Sequence, residues 1–317
     1  MIAWNIAAQK TRRDIWALTS RLLLLGVLAS LVFMTGRILL KAASGGFNTI
    51  ALEVPPWSLV LAAIIYLAGH GLRILRLALL IGSWRVGFRT IVNFHFMTAA
   101  ASLSIPLKLG EIYRIIELSN VVGSFTKGLA IVWWERIFDA SVILLILLLA
   151  LARAPDSTPP EFAAVALVTI GFIAVTGLTF FVLPDNLRRL SMQIIRRYSG
   201  RRTVPVLKVV DLMRNGIQEA PRMVTGKVAS LVTLTSLIWT CEIICFALAF
   251  PHASIGNALD SLLNFLSAVT RGETLLGALG KAEESTLAYL AATQIPLEIL
   301  GLVAAIQYVI WRMRRHS

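Results

Sequence analysis

The chain has 317 residues, of which 57% are hydrophobic and only 15% charged, and it carries a formal net charge of +13. Soluble domains are closer to half apolar and about a quarter charged, so the surplus belongs in lipid; a soluble enzyme, a disordered chain and a secreted disulfide scaffold are excluded. The excess of lysine and arginine speaks first to membrane orientation and anionic-lipid contact, not to nucleic-acid binding.

A helix that crosses the hydrocarbon layer needs about 20 predominantly apolar residues. Six stretches meet that length: 17–40, 57–81, 128–152, 161–183, 228–250 and 287–311. The first is expected to remain as an anchor, because its apolar core exceeds the roughly 7–15 residues of a signal sequence and Arg37 lies near its end. Two shorter apolar stretches, 91–105 and 257–270, run into polar glycine-containing segments and are expected to be re-entrant hairpins. The predicted fold is an all-α integral membrane protein with about six transmembrane helices and two re-entrant helical hairpins. It forms a single polytopic membrane domain over residues 1–317.

Basic residues orient this topology. With the N terminus inside, Lys10, Arg12, Arg13, Arg85, Arg89, Lys108, Arg114, Lys127, ten residues between 185 and 227, and Arg312, Arg314 and Arg315 place 21 charges inside. Lys41, Arg153, Arg271 and Lys281 are the four left outside. A full crossing by 91–105 would invert every later loop, so the distribution itself favours hairpins and puts both termini in the cytoplasm. The order span, hairpin, span then occurs twice in opposite orientation, over 57–152 and 228–311, which is the pattern of inverted-repeat transporters. Gly110-Glu111 in the first hairpin and Gly280-Lys281-Ala282-Glu283 in the second are the local echo of that repeat.

Chemistry concentrates in a few segments. In Ser104–Arg114, Pro106 and Gly110 interrupt helix, while Lys108, Glu111 and Arg114 recur every three residues and could share one face. One carboxylate between two cations leaves a net positive site that could hold phosphate; the alternative is an interfacial turn with solvated charges. Glu135, Arg136 and Asp139 stand in the first turns of an apolar helix, where charge faces a polar cavity or a structural partner. Trp133 and Trp134 beside them look like interface anchors. Arg73 and Arg76, near the inner end of 57–81, could snorkel to lipid phosphates or reach the first hairpin, and His70 reads as a packed or hydrogen-bonded residue. Glu242 and Glu298 fall within apolar spans and are candidates for pairing with an arginine or carrying a proton.

Cys241 and Cys245 lie i,i+4 with no histidine beside them and read as packing residues, so neither a metal nor a cofactor is expected. The 185–227 loop, with ten basic residues against three acidic ones, reads as an amphipathic cytoplasmic segment on anionic phospholipid. Bases would find almost no aromatic platform there, and no nucleic-acid partner is expected.

Taken together, Pro106-x-Lys108-x-Gly110-Glu111-x-x-Arg114, Glu135-Arg136-x-x-Asp139 and Gly277-x-x-Gly280-x-x-Glu283 resemble a flippase-like membrane family that includes the transmembrane region of lysylphosphatidylglycerol synthases. The likeness covers about residues 15–311, with Leu107-Lys108 where similar proteins have Gly-Arg and Leu276-Gly277-Ala278 where they have Pro-Gly-Gly. The resemblance implies movement of an anionic, aminoacylated, polyprenyl-phosphate or hopanoid-type lipid between leaflets of a bacterial or archaeal cytoplasmic membrane. It does not imply synthesis, because the soluble aminoacyl-transferase domain has no room in this chain. The expected groove is lined by Arg73, Arg76, Lys108, Gly110, Glu111, Arg114, Glu135, Arg136, Asp139, Gly280, Lys281 and Glu283. No nucleotide-binding loop is present, so movement would be downhill, ion-coupled or driven by consumption on the far side. Rival expectations are a membrane-embedded transferase with Glu111 or Asp139 as base, and a scaffold partnering envelope-synthesis enzymes. The sequence sets no oligomeric state.

Overall fold

The computed structural model describes residues 22–40 in part, 55–82, 86–104, 109–153, 160–197, 203–249 and 284–316. The second expected hairpin lies outside these residues, as do Lys108, Gly280, Lys281 and Glu283. Among the described residues all regular structure is helical. In chain order the helices are α1 (Leu24–Phe33), α2 (Pro56–Ile81), α3 (Phe88–Ser104), α4 (Leu109–Val122), α5 (Phe125–Arg153), α6 (Pro160–Phe181), α7 (Leu183–Arg197), α8 (Thr203–Val224), α9 (Val228–Ala249) and α10 (Glu284–His316).

Among the described residues, three segments are long and apolar enough to cross a membrane: Pro56–Ile81, Val228–Leu248 within α9, and Ala292–Ile310 within α10. Large apolar side chains on their outer faces, among them Val60, Ile64, Val232 and Ile306, stay exposed in the isolated chain, as expected where lipid is the solvent. Helix α5 has 29 residues, about 43 Å at 1.5 Å per residue. It falls short of the same standard because Lys127, Glu135, Arg136 and Asp139 occupy its first half. Helices α6 and α7 meet at a 49° bend and together form a fourth candidate.

The stretch expected to form the first hairpin holds two helices, of 17 residues for α3 and 14 for α4, about 26 and 21 Å long at 1.5 Å per residue. Helix α3 ends at Ser104, two residues before Pro106, in keeping with the bias against helix ahead of proline. Gly110 lets α4 fold back onto α3: a β-carbon there would stand 2.5 Å from Ser102 Cα. Helix α3 is in turn laid against α10, where a β-carbon on Gly301 would come within 2.3 Å of Ala100 Cβ. The hairpin is thereby held between α5 and α10 and is part of the core.

Core side chains connect these elements. Ile74, Leu77, Phe94, Leu118, Ile131, Phe138 and Leu231 join α2, α3, α4, α5 and α9. A second cluster gathers Leu24, Val27 and Leu31 of α1 with Met97, Tyr113, Ala305 and Tyr308. Cys245 is buried with its thiol directed at the Ala62 carbonyl at 3.4 Å, and both cysteines are free, in line with the packing role expected for them.

The 185–227 region forms the helix pair α7 and α8, which pack against each other, and α8 lies on α5, where Trp134 Nε1 donates to the Ala220 carbonyl at 2.8 Å. Lys227 Nζ donates to the Leu79 carbonyl at 2.8 Å and ties the end of this pair to the end of α2. The expectation for the tryptophans is corrected here. Trp133 donates to Thr176 Oγ1 at 3.1 Å and stacks on Phe172, while Trp134 stacks on Phe180. Both are joints between helices and not headgroup anchors, because their N–H groups find partners inside the protein.

Candidate functional site

A layer of charge crosses the bundle between α2, α4, α5 and α9. On α2, Arg73 and Arg76 are one turn apart and point to different partners. Arg76 is buried at 3% exposure, and its guanidinium meets Asp139 of α5 through two contacts of 2.6 and 3.3 Å. The same Nη1 donates to Thr235 Oγ1 of α9 at 3.0 Å, so one guanidinium joins three helices. Arg73 Nη2 donates to Glu242 Oε1 at 2.7 Å. The snorkelling expected for these two arginines is therefore corrected: their charges are taken up by carboxylates on α5 and α9.

The hairpin contributes the other half of the layer. Glu111 and Arg114 are one turn apart on α4, and Glu135 and Arg136 are adjacent on α5. Arg114 Nη2 donates to both oxygens of Glu135, at 3.0 and 2.8 Å, and both side chains are buried. Arg136 pairs with Glu111 and lies 3.7 Å from Asp139 along its own helix. Reversed polarity in the two contacts, Arg114 to Glu135 but Glu111 to Arg136, fixes the rotation of α4 against α5, since a shift of one turn would set like charges together. Gly110, next to Glu111, supplies the close approach to α3 and no side-chain chemistry.

The four arginines face four carboxylates: Glu111, Glu135, Asp139 and Glu242. Within the net positive site expected around Glu111, Arg114 is met by Glu135 of α5, and Lys108, its other cation, lies outside the described residues. The pairs differ in exposure. Side-chain exposure is 8% and 3% for Arg114 and Glu135, but 46% and 29% for Arg136 and Glu111. The Arg136–Glu111 pair is the open edge of the layer, where an incoming anionic group could exchange for a carboxylate without removing a buried partner.

Several polar residues of this region escape a sequence reading. His70 and His95, 25 residues apart, share a 2.9 Å hydrogen bond. Buried Glu117 accepts from Tyr308 on α10 at 2.9 Å. Asn93 donates to Gln307 at 3.1 Å. Each is a polar residue among apolar neighbours, a signal that marks burial but not the partner. Glu298 is buried on α10 at 2% exposure, as its place in an apolar span suggested.

These features define an all-helical integral membrane protein whose bundle encloses an ion-paired polar layer. A family model described as the lysylphosphatidylglycerol synthase transmembrane region matches residues 21–306, and the chain belongs to that family. No curated protein and no solved structure matches it.

Proposed function

We propose that the protein is a lipid translocase, a carrier and not an enzyme, that passes an anionic, aminoacylated, polyprenyl-phosphate or hopanoid-type lipid between leaflets. The observation that carries this reading is the charged layer itself. Eight ionised side chains inside an apolar bundle are costly, and within membranes such groups mark pathways for polar cargo. Their pairing lets a lipid phosphate bind by exchange: as it takes Arg136, Glu111 is released toward water, and a return swing of Glu111 expels the headgroup. Acyl chains would remain in the bilayer beside the groove. In this reading six spans and two re-entrant hairpins form an inverted repeat in a bacterial or archaeal cytoplasmic membrane, with both termini cytoplasmic. Lys108, Gly280, Lys281 and Glu283 would complete the groove, the basic α7–α8 pair would rest on anionic phospholipid, and envelope-synthesis enzymes would be neighbours.

The test is leaflet accessibility in liposomes carrying fluorescent phosphatidylglycerol or a fluorescent polyprenyl-phosphate lipid. Wild-type protein is expected to move at least one of them well above protein-free vesicles, and Glu111→Gln and Arg136→Ala each to slow it by tenfold or so, about 1.4 kcal/mol in the barrier. Folded wild-type protein that moves no lipid would sink the reading.

A further inference from the structure

Behind the open pair, the two buried histidines form a directional chain. Arg73 Nη1 approaches His70 Nε2 at 3.5 Å, and His70 Nδ1 lies 2.9 Å from His95 Nε2. A guanidinium only donates, so His70 Nε2 accepts and its proton resides on Nδ1. His70 then donates to His95 Nε2, and the His95 proton resides on Nδ1. That last nitrogen is buried and has no hydrogen-bond partner among the described residues. The rings are 2% and 1% exposed, in a bundle where an unneeded imidazole would cost stability.

Both rings are neutral while Arg73 holds this position. Of the four arginines of the layer, Arg73 is the most accessible after Arg136, at 27% side-chain exposure, and its acid, Glu242, is 12% exposed. An anionic headgroup that draws Arg73 away from Glu242 would leave a lone pair on His70 Nε2 and a carboxylate beside it. We propose that the His70–His95 pair is a proton-binding site, charged by one proton each time a lipid phosphate takes Arg73. The step is one N–H bond formed at His70 Nε2 and one O–H bond broken on a hydronium ion that enters with the headgroup, which leaves as water. Charge is conserved in the layer, since the proton offsets the phosphate. The inference rests on the translocase reading and adds its coupling ion.

The groups surrounding the pair are consistent with such a switch. Tyr66, Arg73 and Arg76 face it from α2 and Arg114 from α4. Glu242 and the thiols of Cys241 and Cys245 lie on α9, and Glu298 is buried on α10. Arg76 and Arg114 are already held by Asp139 and Glu135 of α5. Among the four arginines of the layer, Arg73 contacts an imidazole and keeps 27% of its side chain exposed.

Proton uptake linked to binding is read as the slope of log affinity against pH. Short-chain phosphatidylglycerol is the probe, because its phosphodiester stays anionic throughout the range used. Titration calorimetry on the whole protein in detergent, between about pH 5.5 and 7.5, should show affinity rising by up to about tenfold per unit fall in pH. His70→Gln and His95→Gln should bind the lipid with a slope near zero; either variant suffices if the other does not fold. A flat wild-type profile with binding intact would overturn the proton site and leave the translocase reading standing. A slope unchanged in the folded variants would also overturn it and move the proton to another group. Absence of binding at every pH would overturn the proton site as proposed and remove phosphatidylglycerol as cargo, while the leaflet assay with the polyprenyl-phosphate lipid decides the translocase reading separately.

Discussion

At the scale of single residues, the ion pairs differ in what their loss would do. Arg76→Ala leaves Asp139 in the bundle with only the 3.7 Å approach of Arg136, and removal of one partner of a buried pair costs about 3–5 kcal/mol. The expected result is a large drop in thermal unfolding temperature in detergent. Replacing both partners, as Arg76→Met with Asp139→Leu, should recover much of that stability while leaving transport impaired. A variant pair no more stable than the single one would show that Thr235 and the packing around it, not the charge, set the cost. Cysteine chemistry gives a simpler check. Cys245 is 0% exposed and Cys241 partly exposed, so maleimide should modify Cys241 first and Cys245 only on unfolding. Among these residues the reactive types were legible from sequence, since an acid or base in an apolar run stands out. Their partners were not. Arg73 and Glu242 are 169 residues apart, and which acid a guanidinium meets depends on helix rotation, which a one-dimensional pattern does not contain. The tryptophans were misread for a related reason: an indole at a headgroup and an indole between helices look the same in sequence.

At the scale of elements, helix boundaries followed from hydropathy and helix breakers. The 128–152 stretch became Phe125–Arg153 and the 57–81 stretch became Pro56–Ile81. The break between α3 and α4 was legible from Pro106 and Gly110, whereas the burial of the two helices between α5 and α10 was not, because α3 alone resembles a short surface helix. Gly110→Val tests that packing. A side chain forced against the Ser102 backbone is expected to cost about 1–3 kcal/mol, seen as a lowered unfolding temperature, and an unchanged temperature would argue against the close approach. The α7–α8 pair invites a lipid test of its own. Arg188, Arg189 and Arg196 line one side of α7 with Met192 between them, and Val206, Val209 and Met213 of α8 are exposed. Hydrogen exchange in nanodiscs should be slower over residues 183–224 with anionic lipid than with neutral lipid. Arg188→Gln with Arg189→Gln and Arg196→Gln should abolish the difference; equal protection in both lipids would remove the anionic contact.

At the scale of the whole molecule, six crossings would return the chain to its starting side. Single cysteines at Gln9→Cys and His316→Cys, in a background with Cys241→Ala and Cys245→Ala, are expected to react with an impermeant maleimide only after intact cells are permeabilised. Labelling of one terminus alone from outside would require an odd number of crossings. Beyond topology, the pairing pattern has a consequence for how the protein is made. Helix α2 emerges from the ribosome with two arginines whose acids do not yet exist. Asp139 follows Arg76 by 63 residues and Glu242 follows Arg73 by 169. At roughly 5–20 residues per second, those acids arrive roughly 3–13 s and 8–34 s later. Until then α2 is better kept beside the aqueous insertion channel than released into lipid. Membrane entry is therefore expected to be delayed and collective, with α2 released once α5 has delivered Asp139 and locked fully when α9 brings Glu242.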